Sequence, residues 1–342
     1  MTPDPVLVLA LLILAHLIAD FVIQTDRIAT DKFAAGRRAW RGLGWHVVGV
    51  AICLVPFVLA FGVAGLAVLI VVATSHGLID RAKVIATRGV ESRAEAESAR
   101  RHERPAPAAS LGVAWTPLPA ALFAFDQLAH LTVLGAAWAI FLSQQPLTSA
   151  WSSAAQAAVG RWDQAAVHVV MTVGVVLVTL AIFNVRAASL FVAILVHPRQ
   201  VVTGEPDPGA DVQPGGDAAA STASLPSATG VPSAASPAVD AHPPTPVLAT
   251  GPATGPSPAA SAARIGATIG VLERLVIVAL VLTGAEAAIG FVIAAKTLAR
   301  FRQLDDRQFA EYYLLGTLAS VTLALGSALI ASAALAPLLG RP

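Results

Sequence analysis

The chain has 342 residues, 56% of them hydrophobic and only 13% charged, with a formal charge of +1 and a mean hydropathy of +0.71. That is too little charge to cover a soluble protein of this length, and no basic stripe is present that would suit nucleic acid. The only cysteine, Cys53, lies in an apolar run, which excludes an intrachain disulfide or a thiolate metal cluster.

The apolar residues fall in runs long enough to cross a bilayer, at about 20 residues per helix. The expected fold is therefore all-α: a polytopic transmembrane helical bundle of about seven membrane helices with a disordered internal linker. The first run, Val6 to Ile23, has no Lys or Arg at its head and is interrupted by His16 and Asp20, so it reads as a retained span and not as a cleaved leader. A polar segment follows from Gln24 to Gly42. The second span, Gly44 to Phe61, and the third, Gly65 to Asp80, are joined by almost nothing and predict a tight antiparallel hairpin. Residues 81–117 are charged, a fourth span covers Leu118 to Leu142, and 143–163 form a polar stretch.

The fifth span, Ala166 to Val196, is long for one crossing and is expected to tilt or to break near Asn184 and Arg186. The stretch 200–262, rich in Ala, Pro, Ser and Thr, buries too little to offset the entropy of ordering and is expected to be a disordered linker. The sixth span runs from Ile269 to Ala295, a basic connection follows (Lys296, Arg300, Arg302, Arg307), and the seventh covers Tyr312 to Leu335. Four regions result: a membrane core over 1–142, an external loop and fifth helix over 143–199, the linker over 200–262, and C-terminal helices over 263–342. By the positive-inside rule, 24–42 and 81–117 are cytoplasmic while 143–163 and the N-terminus are external. Carried through one sixth helix, the rule puts the basic connection outside, a conflict that a re-entrant fifth or sixth helix would remove.

Three His/Asp pairs carry the chemistry. His16 and Asp20, His76 and Asp80, and Asp126 and His130 are each four residues apart, so each pair shares a helical face. His46 starts the second span in the same layer, and the topology puts all three pairs in the cytoplasmic half of the membrane. A carboxylate facing lipid costs roughly 2.5 to 3.5 kcal/mol on insertion scales, so these side chains are expected to point into the bundle. Imidazoles and carboxylates suit a divalent metal such as zinc, manganese or iron. In that reading His16, His76, His130 and His46 are ligands, and Asp20, Asp80 and Asp126 share ligand and general-base roles in metal-dependent hydrolysis. The competing readings are a proton or cation carrier using the same groups, and a scaffold in which the pairs only glue helices together. Gln24 and Thr25 are placed to cap or support the first pair, and Gln127 either to orient Asp126 or to face a neighbouring helix.

In the second block Glu273 and Arg274, being adjacent, are expected to have separate partners. Lys296 and Arg300 are expected to snorkel to headgroups, Glu286 to need a buried partner, and Tyr312 and Tyr313 to mark an interface. The expected partners are the lipid bilayer and, where it assembles, a second copy of the chain in a homo-oligomer.

The strings HLIADFVIQT from His16, HGLID from His76 with Lys83, and FDQLAH from Phe125 resemble an uncharacterised bacterial membrane family, domain of unknown function 3307. The likeness looks continued by GVLERL from Gly270, IGFVIAAKTLARF from Ile289 and EYYLLGTLAS from Glu311. The resemblance implies a multi-spanning protein of a bacterial cytoplasmic membrane and supplies no substrate or cofactor.

Overall fold

The computed structural model describes residues 3–102, 117–196 and 258–338, all of them in helices, turns and short connections. The described residues up to 196 and those from 267 onward fall in one unit, and those from 258 to 266 in another. The expected linker falls almost wholly outside the described residues. Among the described residues, seven helices are long and apolar enough to cross a membrane. The chain is a multi-pass membrane protein, because such helices satisfy every backbone group internally where water is absent.

Helix α1 (Pro5–Ile18) opens with Asp4 accepting from the Val6 amide at 2.7 Å and with proline at its first position, where no N–H is needed. The other Asp4 oxygen takes a 2.7 Å bond from His168, which ties the start of α1 to a later helix. The helix ends in a π-turn, Ala19–Ile23, which carries Asp20. Such turns mark places where regular helix gives way to a positional requirement. Helix α2 (Asp26–Lys32) is capped by Thr25. It lies directly on α3 (Gly36–Phe61) because residue 42 is glycine: a Cβ there would stand 2.7 Å from the Asp31 Cβ and the Lys32 nitrogen. Arg88 fixes the far end of α2 by donating to the carbonyls of Phe33 and Ala34.

Gly62, at φ +60 and ψ −125, makes the tight turn into α4 (Val63–His102), so the expected hairpin forms. Helix α4 does not stop at Asp80. It runs 40 residues, about 60 Å, well beyond a hydrocarbon core about 30 Å thick. Hydropathy falls after Asp80, but Ala, Arg, Glu and Lys keep helix propensity high, so the helix leaves the membrane intact.

Helix α5 (Leu118–Phe141) closes the core. The expected external loop contains a helix of its own, α6 (Ser149–Val159). Thr148 caps that helix and also donates to the carbonyls of Leu59 and Ala60, tying off the end of α3. The core between α1, α3, α4 and α5 is packed by Leu12, Leu54, Val68 and Leu134, each at most 2% exposed.

The fifth span is α7 (Gln164–Ile182) and α8 (Ala188–Val196), joined by a π-turn at Phe183–Ala187, which is the region where a break was expected. The expected sixth helix is two helices. Helix α9 (Pro258–Thr283) ends at Gly284, whose φ is +74, and a short α10 (Ile289–Ala299) follows. Lys296 on α10 pairs with Glu273 on α9 and lies over the ring of Tyr313, at the start of α11 (Arg307–Leu335). Helix α10 therefore doubles back beside α9 and returns the chain to the level of Glu273. Asn184 meets Ser327, while Gly316 faces Val192 and Val196, so α11 runs antiparallel to the fifth span. The topology conflict disappears: the basic connection returns to the end where α8 stops, and α11 starts there.

Candidate metal centre

Four histidines and three aspartates from four successive spans meet inside the N-terminal core, with every one of the seven side chains at most 10% exposed. Helix α1 brings His16 and the π-turn Asp20, α3 brings His46, α4 brings His76 and Asp80, and α5 brings Asp126 and His130. The carboxylates are neither splayed toward lipid nor stranded at different depths.

Within a helix the partners are loosely placed, at 3.9 Å for His16 and Asp20 and 3.8 Å for His130 and Asp126. The tight contacts cross between helices, which corrects the picture of side-by-side pairs. His46 Nε2 lies 2.9 Å from His76 Nε2 and 3.4 Å from both Asp20 Oδ1 and Asp80 Oδ2, and His76 Nε2 lies 3.1 Å from Asp20 Oδ1. Four ligands around one ion at 2.0 to 2.1 Å would stand about 3.3 Å apart at a tetrahedral edge. The four separations just given among His46, His76, Asp20 and Asp80 lie close to that edge length. Two further combinations place ligand atoms within 4.8 Å of one another: His16 with Asp20 and His76, and Asp80 with Asp126 and His130.

Hydrogen bonding fixes which nitrogens are free. His130 Nδ1 lies 2.8 Å from the Asp126 carbonyl oxygen, so Nδ1 must carry the donated proton and Nε2 keeps its lone pair. His130 Nε2, His16 Nε2, Asp20 Oδ1 and Asp126 Oδ1 are all buried without a hydrogen-bond partner. Asp20 Oδ1 sits 3.1 Å from His76 Nε2, yet without hydrogen-bond alignment. Native interiors rarely leave several such atoms bare in one place without a ligand to take them. The rings form a continuous group, His76 to His130 at 4.0 Å between centroids and His130 to His16 at 5.1 Å.

Two lysines complete the site. Lys32 Nζ donates at 2.7 Å to both Asp80 Oδ2 and Gln24 Oε1, and Lys83 Nζ donates at 2.7 Å to Asp126 Oδ2. Gln127 also donates to Asp126 Oδ2, at 3.1 Å, the orienting role its position implied. Thr25 caps α2 and takes no part in the cluster. With Lys32 and Lys83 matched to Asp80 and Asp126, Asp20 is the carboxylate with no ammonium beside it, so the cluster has room for a cation. Sequence reasoning missed both lysines as site residues. Lys83 had a signal, since it lies three residues after Asp80 and seven after His76 on one face of α4. Lys32 had none, because it reaches the site only through the fold of α2 onto Gly42.

The C-terminal polar groups form a separate set. Arg274 donates to the Asn184 carbonyl at 2.8 Å, to Ser320 at 3.1 Å and to Ser189, while Glu273 takes Lys296. Lys296 is thus held by a carboxylate and does not snorkel, and Glu286 lies exposed in the turn after α9, with no buried partner needed.

Fold and site together define a polytopic helical membrane protein with a buried His/Asp cluster. Residues 8–160 match the family described as Protein of unknown function (DUF3307), a stretch that holds every residue of the cluster. The C-terminal strings from Gly270 onward lie outside that match. No curated protein and no solved structure matches the chain.

Proposed function

We propose that the chain is a membrane-embedded metalloprotein of a bacterial cytoplasmic membrane, with metal-dependent hydrolysis as its activity. The observation that carries this reading is the convergence of His46 Nε2, His76 Nε2, Asp20 Oδ1 and Asp80 Oδ2 at spacings of 2.9 to 3.4 Å. Those residues would hold a divalent ion such as zinc, with His16 and His130 close enough to complete or share the shell. Asp126, held by Lys83 and Gln127, is the carboxylate left to serve as base toward a metal-activated water. A scaffold of mutually satisfied pairs would not leave four polar atoms bare in the interior.

Elemental analysis of the detergent-purified protein is the test. Near-stoichiometric metal that is lost in Asp20→Asn and His76→Ala, in folded protein, supports the centre. Metal-free protein after purification in metal-supplemented buffer overturns it.

One observation favours a second reading. The four imidazoles form an unbroken chain from His46 through His76 and His130 to His16, an arrangement suited to passing protons or cations. Proton flux in proteoliposomes that disappears in the Asp20→Asn/Asp80→Asn/Asp126→Asn variant would favour this transport reading. Flux unaffected by the triple change would remove it.

A further inference from the structure

A groove of about 390 Å³ lies between α2 and the start of α3, lined by Arg27 and Asp31 from the one and by Arg38, Arg41, Gly42 and Trp45 from the other. Three guanidiniums face a single carboxylate. Asp31 is taken by Arg38, leaving Arg27 and Arg41 exposed and with no partner among the described residues. The walls are firmly held, since Gly42 seats α2 on α3 and Arg88 closes the loop behind it.

Two free guanidiniums converging from different elements suit one ligand chemistry above others. A planar fork of N–H donors matches the oxygens of a phosphate group in bidentate fashion, and Arg serves that role better than Lys. The surroundings favour a lipid over a free anion. Trp45 on the groove wall is 65% exposed and Trp40, five residues earlier on α3, is 61% exposed, with Arg81 lying over the Trp40 ring at 5.0 Å. Exposed tryptophans among arginines at the end of a span are the pattern of the headgroup layer. We infer that this groove binds the phosphate of an anionic lipid headgroup, clamped between Arg27 and Arg41 with its glycerol end against Trp45. The inference stands whether or not an ion binds in the histidine cluster, which α3 reaches at His46, five residues past Arg41 and about 7.5 Å further along the axis.

Trp45 supplies the readout. The protein in phosphatidylcholine nanodiscs is titrated with dioctanoyl phosphatidic acid, dioctanoyl phosphatidylcholine and inorganic phosphate while tryptophan emission is followed. A Trp45→Phe variant identifies the responding residue. Saturable binding of phosphatidic acid is expected, weakened roughly tenfold or more in Arg27→Gln/Arg41→Gln and unchanged in Arg93→Gln, which removes one exposed charge elsewhere. Arg27→Lys/Arg41→Lys keeps the charge and loses the fork, so intermediate binding supports the bidentate clamp. An unaltered melting temperature shows that the double variants are folded. Equal response to inorganic phosphate overturns the lipid source, and equal response to phosphatidylcholine, or full affinity in the glutamine variant, overturns the site. Repeating the titration with a chelator separates this inference from the metal centre. Lipid binding should persist, and its loss on chelation would overturn an independent groove.

Discussion

Asp80 shows how the core tolerates charge. Its carboxylate is 3% exposed as a residue and would be costly to hold in a low-dielectric interior, and Lys32 meets it at 2.7 Å. Removing only one partner strands the other. Lys32→Met is expected to destabilise the protein by about 3 kcal/mol or more, and Lys32→Met/Asp80→Asn to recover most of that loss. Denaturation in detergent measures both, and a double variant no better than the single would show that the pair is not coupled. The histidines are expected to differ in weight. His46→Ala removes the nitrogen that stands 3.4 Å from two carboxylates, and it should abolish stable metal loading. His16→Ala removes a ring 3.9 Å from Asp20 and should weaken metal binding by only about 10–100-fold, the usual range for a supporting group. Chelator competition ranks the two. At this scale the histidines and aspartates were legible, because polar residues inside apolar runs stand out. The contacts among them were not, because i,i+4 spacing describes one helix while the close approaches join four.

At the scale of elements, small residues decide where helices meet. Gly42→Leu would drive side-chain atoms into the Asp31 and Lys32 backbone, pushing α2 off α3 and carrying Lys32 away from Asp80. The expected cost is about 1–3 kcal/mol, accompanied by weaker metal retention. Gly62→Ala imposes a similar cost, about 1–3 kcal/mol for a backbone region that favours glycine, but should leave the metal content of the folded fraction unchanged. Equal metal loss in both variants would mean that α2 has no special tie to the centre. The span hairpins could be read from composition, since Gly62 separates two apolar runs. The reversal at Gly284 was signalled only by the topology conflict, which a re-entrant fifth or sixth helix would remove; its place was hidden because apolar residues continue on both sides, and the meeting of Lys296 with Glu273 reveals it. The long reach of α4 was hidden for the opposite reason: its polarity changes while its helicity does not.

At the scale of the whole molecule, the doubled-back α9–α10 pair makes a topological prediction. In a Cys53→Ala background, Ala150→Cys and Gln303→Cys should react with a membrane-impermeant maleimide from opposite faces of the membrane. Labelling of both from one face would mean that α9 and α10 form a full crossing. Donors of the His/Asp cluster come from α1, α3, α4 and α5, the last of which is made well after the first. Order of synthesis then becomes order of maturation. A nascent chain that has threaded only its first three crossings already carries Asp20, His46, His76 and Asp80 but still lacks Asp126 and His130, so an ion captured early would sit in a site left open on the side where α5 packs. Only when α5 slots into place is the cage shut.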